Sequence, residues 1–292
     1  MKRLAMHTLV AGCLAAAVGQ ASATAASSAI TSNLNITLFD LNPTDSTTPW
    51  LKFAPSQVAT VHNDAVGAGD ALESYSSDDY APGPKRDGML TAGLTTDWSS
   101  TTGSVATAAN AAGFTAMSSQ GIANSGLDGS GSYRNFIANS NGGQNFFTLS
   151  PMTKITFSMT ADLKAFTSMG YNLDADMGEF AIARSFLNIS GTVNGVDQFD
   201  SQEQGLWVYY NVNDDNTVSG VSESWSGTLE VSFYNYGSTA TDVRLHAFAG
   251  TEGRSAIWDG VTPVPEPSTY GMMLGGLGLL GAAARRHRSK AV

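Results

Sequence analysis

Period-two alternation is the feature that most constrains this chain. In Lys154-Ile-Thr-Phe-Ser-Met-Thr-Ala-Asp-Leu163, the residues Ile155, Phe157, Met159, Ala161 and Leu163 share one side. Side chains of an extended strand alternate between faces, so this stretch reads as a half-buried strand. The pattern recurs in Asn33–Leu38, where Leu34, Ile36 and Leu38 fall together, and in Thr228–Phe233, where Leu229, Val231 and Phe233 do. It also recurs in Asp242–Ala247. Glu179–Ile189 reads as another strand, and Asn194-Gly195 is a hairpin turn signal. Trp50–Phe53 reads as a short return strand. Leu206–Tyr210 is apolar on both sides, as a buried central strand would be. Residues 91–143 are rich in Ala, Ser, Thr and Gly and read as thin strands joined by long loops. The stretch His62–Ser76 reads as one or two helical turns. Recurrent strands with Gly, Asn and Asp turns and no long helical period predict an all-β antiparallel sandwich, jelly-roll-like in form.

The two ends of the chain are different material. Lys2 and Arg3 precede an apolar run from Leu4 to Val18, and Ala21-Ser22-Ala23 is a small-x-small cleavage signal. This is the anatomy of a secretory leader, residues 1–23, with the mature chain beginning at Thr24. Val10-Ala-Gly-Cys13 has the look of a lipoprotein box. It fits less well, because only nine residues precede it and the apolar run continues past the cysteine. Cys13 is the only cysteine of the 292 residues. Once the leader is removed, stability must come from core burial without disulfides.

At the other end, Pro263-Val-Pro-Glu-Pro-Ser-Thr-Tyr270 leads into the uncharged run Gly271–Ala284 and then into Arg285, Arg286 and Arg288. Pro265 and Pro267 fix φ and hold Glu266 extended. The apolar segment, 270–284, is read as a short membrane helix with its basic end in the cytoplasm. Strip, apolar helix and arginine cluster in this order resemble the PEP-CTERM protein-sorting signal. The resemblance covers residues 263–288. It implies that Pro265, Glu266 and Pro267 are the strip recognised by an exosortase, a membrane transpeptidase that cuts near it. It also implies that residues 270–284 are a transient anchor and that Arg285, Arg286 and Arg288 are the stop. By the same resemblance the source is a Gram-negative bacterium that makes exopolysaccharide, and the protein is exported to the cell envelope or beyond. The chain then divides into a leader (1–23), a secreted domain (24–262) and a sorting segment (263–292).

Charge narrows the functional classes for the middle part. The chain carries a formal net charge of −10. Between Thr24 and Val264 nine basic residues face 24 acidic ones, a net of −15. A surface this acidic repels phosphate backbones, so nucleic acid is not an expected partner. The mature part holds only His62 and His246, no cysteine and no Gly-x-Ser-x-Gly elbow. Nucleophilic catalysis therefore lacks its parts, and acids this abundant give no specific carboxylate pair for a hydrolase. No metal-ligand spacing clusters around either histidine, and His246 alternates onto the polar face of its strand.

Two oxygen-rich stretches are candidates for calcium, a hard cation that takes six to eight oxygens. They are Asp174-Ala-Asp176-Met-Gly-Glu179 and Asn211–Asn216, with Asp214 and Asp215. Solvated turns account for both equally simply. No other cofactor is expected. Tyr234 and Tyr236 share the face opposite Leu229, Val231 and Phe233, and an outward aromatic pair is a platform for sugar stacking. Trp207 and Tyr209 form a similar pair. Burial beneath a loop is the ordinary reading of such pairs. The sequence thus predicts an exported, non-enzymatic surface or matrix protein associated with exopolysaccharide. A carbohydrate-binding module is the alternative, and a secreted hydrolase a more distant one.

Overall fold

The computed structural model describes residues 23–68, 72–84, 87–108, 112–125, 133–168, 171–172, 177–212 and 218–256. Residues 23–259 form one compact unit. Among the described residues there is no helix, and so none long and apolar enough to cross a membrane.

The chain moves back and forth between two antiparallel sheets. Strand β1 (Ala23–Asp40) lies in the first sheet. β2 (Leu51–Phe53), β3 (Ser56–Ala68) and β4 (Leu72–Pro84) lie in the second. β5 (Gly88–Thr95), β6 (Ser99–Thr107) and β7 (Ala116–Ser125) return to the first. β8 (Tyr133–Leu149) joins the second sheet and β9 (Thr153–Thr167) the first. The small hairpin of β10 (Tyr171–Asn172) and β11 (Met177–Gly178) precedes β12 (Phe180–Val193) and β13 (Val196–Tyr209), both in the second sheet. A second small hairpin, β14 (Asn211–Val212) and β15 (Val218–Ser219), leads to β16 (Ser222–Asn235) in the first sheet. β17 (Thr241–Ala256) ends in the second. The first sheet runs β16-β9-β1-β7-β6-β5 and the second β13-β12-β17-β8-β3-β4, with β2 pairing off β8.

The alternation seen in the sequence is what the core uses. Ile155, Phe157, Met159, Ala161 and Leu163 of β9 are all buried, as are Leu229, Val231 and Phe233 of β16. β1 is longer than its clearest alternation. Asn33, at φ 58°, inserts a bulge, and the register with β9 jumps from Ser32↔Thr160 to Asn35↔Ser158. The bulge lets Ala25, Ala29 and Thr31 point inward on one side of it and Leu34, Ile36 and Leu38 on the other. Asn194 and Gly195 both take positive φ (51° and 79°) and close the two-residue β12–β13 hairpin, with Val193 opposite Val196.

Two expectations are corrected. The segment from His62 to Ser76 is not helical: apart from residues 69–71, outside the described set, it is the β3–β4 hairpin, whose inward residues Val61, Asn63 and Ala65 follow period two. Leu206–Tyr210 is not a central strand. It ends β13, at the edge of the second sheet, where Leu206 and Val208 are buried while Trp207 and Tyr209 are exposed. Aromatics on the outer face of an edge strand mimic the two-sided pattern of a central one.

Side chains from the second sheet cap backbone donors at both edges of the first. The outward N–H groups of Glu230, Ser232 and Tyr234 on β16 donate to Gln202 Oε1 (2.5 Å), Asp200 Oδ2 (2.7 Å) and Gln198 Oε1 (3.4 Å) of β13. At the opposite edge, Thr91 N of β5 donates to Asp79 Oδ2 of β4 at 3.1 Å. Open edges invite strand addition from other chains, and these acceptors occupy the donors that would template it.

Candidate functional site

The outer face of the first sheet is a carpet of hydroxyls. Thr156 Oγ1 and Ser232 Oγ pair at 2.9 Å, Ser32 and Thr160 at 2.9 Å, and Ser104 and Ser118 at 2.7 Å, each across neighbouring strands. Exposed large rings gather at one end, while Phe166 at the other end of β9 is half-buried. Register places Phe39 of β1 opposite Lys154 of β9, and Lys154 opposite Tyr234 of β16. Tyr236 continues the row, its ring stacked on that of Tyr234 at 5.5 Å between centroids and 8° between planes. Lys154 Nζ sits 5.3 Å from the centre of the Phe39 ring and 5.2 Å from that of Tyr234, within cation–π range of both. Tyr236 is 58% exposed and Phe39 48%, so the expectation of burial under a loop does not hold for this row. Period two was enough to find the tyrosines. Phe39 and Lys154 were missed, because their approach depends on strand order.

The outer face of the second sheet uses its rings differently. Phe186 and Phe248 stack at 5.1 Å and 14°, and Arg184 lies over Phe248 at 5.2 Å. Arg254 lies over Phe180 at 5.1 Å and donates from Nε to Asn135 Oδ1 at 3.0 Å. These groups cover one another. Trp207 and Tyr209 are exposed on β13, with Tyr209 tilted against Phe180 at 6.4 Å.

His246 is on this outer face, as its alternation requires. Its Nε2 is 3.2 Å from Asn141 Oδ1 and its ring meets the edge of Phe186 at 5.0 Å. Partial burial, and after it the charge of Arg244, lower its pKa, so it is neutral at pH 7.

His62 lies between two carboxylates. Nε2 is 2.8 Å from Asp64 Oδ2, and Nδ1 is in close contact with Asp78 Oδ1, its cross-strand partner. Asp64 is only two residues on in the sequence, but the pairing with Asp78 was not legible, because Asp78 comes from the adjacent strand. Burial pulls the His62 pKa down, but the hydrogen bonds and charges of Asp78 and Asp64 outweigh that, and the net shift is upward. With both nitrogens donating, the imidazolium has no lone pair to act as a general base. Among the described residues no group of three or more His, Cys, Asp or Glu could hold a metal ion.

The calcium candidates Asp174, Asp176, Asp214 and Asp215 lie outside the described residues. Glu179 is described and is fully buried, with Ser168 Oγ donating to its Oε1 at 3.5 Å. Such burial differs from the solvent-open turn of the calcium reading. Of the leader signal, Ala21 lies outside the described residues, whereas Ala23 is the first residue of β1. Pro265, Glu266, Pro267, the apolar segment 270–284 and Arg285, Arg286 and Arg288 also lie outside them.

No curated protein and no solved structure matches the chain. One family model does, and it matches at the C-terminal strip: residues 263–288 fit the PEP-CTERM protein-sorting motif, so the chain carries a PEP-CTERM sorting signal there.

Proposed function

We propose that this is a non-enzymatic protein of the cell surface or extracellular matrix of a Gram-negative bacterium, delivered through its C-terminal segment and associated with exopolysaccharide. The sorting motif at residues 263–288 carries the reading. That motif implies export and handling by an exosortase at the envelope. In this account the leader, residues 1–23, directs secretion, and residues 270–284 hold the chain in the inner membrane until the enzyme reads Pro265-Glu266-Pro267. The secreted part is a two-sheet sandwich of jelly-roll-like form. The two histidines support the non-enzymatic reading: one is held between aspartates and the other is paired to an amide. Glu266→Ala tests the delivery step. An uncut, membrane-held precursor is the expected outcome, and unchanged processing would refute recognition of the strip.

A second reading, a carbohydrate-binding module, is favoured by one observation. The stacked Tyr234 and Tyr236 face outward from the sheet, and ring faces of this kind lie against the apolar faces of sugar rings.

A further inference from the structure

We propose that the row Phe39–Lys154–Tyr234–Tyr236 binds a polysaccharide carrying carboxylate groups. This rests on the carbohydrate-binding reading and adds the charge of the ligand. Small hydroxyls such as Thr156 and Ser232 adjoin the rings, and the half-buried Phe166 lies at the other end of β9, so the rings form a strip at one end of the face. Between them sits one ammonium. Lys154 makes no ion pair among the described residues and is steered by the rings of Phe39 and Tyr234. Ring faces supply contact for successive sugars, and the ammonium supplies a donor for a carboxylate between them. A chain of net charge −10 repels polyanions at long range, so general attraction cannot be the source of such binding. Retention must come from this short-range contact.

The test uses the full chain in detergent and three polymer probes: polygalacturonate, neutral dextran and polyacrylate, an anion without sugar rings. Polygalacturonate should be bound in preference to the other two. Tyr236→Ala should weaken that binding about tenfold without moving the melting temperature, since the ring is exposed. Lys154→Gln should abolish the preference for polygalacturonate over dextran. Binding of dextran but not polygalacturonate overturns this proposal and leaves the carbohydrate-binding reading standing. Binding of neither sugar polymer overturns both. Equal binding of polyacrylate, or indifference to both substitutions, overturns the proposal as well.

Discussion

The interior of the sandwich has two unlike halves. Where β9, β16 and β12 meet, it is filled by large side chains such as Phe157, Phe233, Leu229, Leu187 and Ile189, all fully buried. Where β3, β6 and β7 meet β8 and β17, Ser, Ala, Gly and Thr are the commonest lining, with Val61, Val105, Met117 and Phe136 set among them. There Ser119 Oγ donates to the Ala249 carbonyl at 2.9 Å, and Ser140 Oγ donates to the Ser118 carbonyl at 2.6 Å and accepts from Ser104 N at 3.1 Å. Small residues are needed there because the sheets lie close. A side chain at Gly103 would collide with Val61, and one at Gly121 with the Phe136 ring. Asn63, Thr101, Ser99 and Thr31 add buried polar atoms with no hydrogen-bond partner among the described residues. Large side chains stabilise by removing apolar area from water, at roughly 25 cal/mol per Å². A serine-lined interior gains little of this and holds through directional bonds, each worth about 1 kcal/mol net. Stability should therefore be concentrated in the first half.

The largest effect should come from a charge placed in the apolar half. Val231→Asp puts an unpaired carboxylate among Phe157, Leu229 and Phe233, at a cost of about 5 kcal/mol or more, at the far end of what single changes do. Total stabilities are about 5–15 kcal/mol, so the cooperative thermal transition should be lost. A normal melt for this variant would break the comparison.

Cavity formation comes next. Phe157→Ala should cost about 3–5 kcal/mol in urea unfolding. In the serine-lined half, Ser119→Ala leaves the Ala249 carbonyl without its side-chain donor and should cost about 1 kcal/mol. If the two variants proved equally destabilising, the halves would not differ in the way their packing implies.

The smallest effect is a pH dependence at β3–β4. The folded pKa of His62 lies above its ordinary value. A group with a raised folded pKa contributes stability that is complete below the unfolded value, near pH 6.5, and is lost as pH rises through the folded value. The advantage of the parent over Asp78→Asn in urea midpoint should therefore be greatest below about pH 6.5 and shrink toward alkaline pH. The site is exposed enough for solvent to screen it, so the change should be small. A difference that grew with pH would contradict the ion-pair geometry.

The sequence by itself determined the all-β character and the inward faces of β9 and β16, because alternation is a local property and one buried face enforces it. It also determined the Asn194-Gly195 turn, whose positive φ angles suit those two residues, and the outward direction of Tyr234 and Tyr236. The sorting strip at 263–288 is legible for the same reason: its order of proline, apolar and basic residues is linear. Strand order was decided only by the tertiary structure. It put β13 at an edge, so Trp207 and Tyr209 meet solvent instead of a second layer. It brought Phe39 and Lys154 to the tyrosines from strands far away in sequence, and Asp78 to His62 from the next strand. The serine-rich strands β6 and β7 read as thin strands from composition, but their partners were not legible. β7 pairs with β1 from far away in sequence, and Ser119 and Ser125 reach the Ala249 and Ser255 carbonyls of the opposing sheet, a pairing which no local stretch encodes.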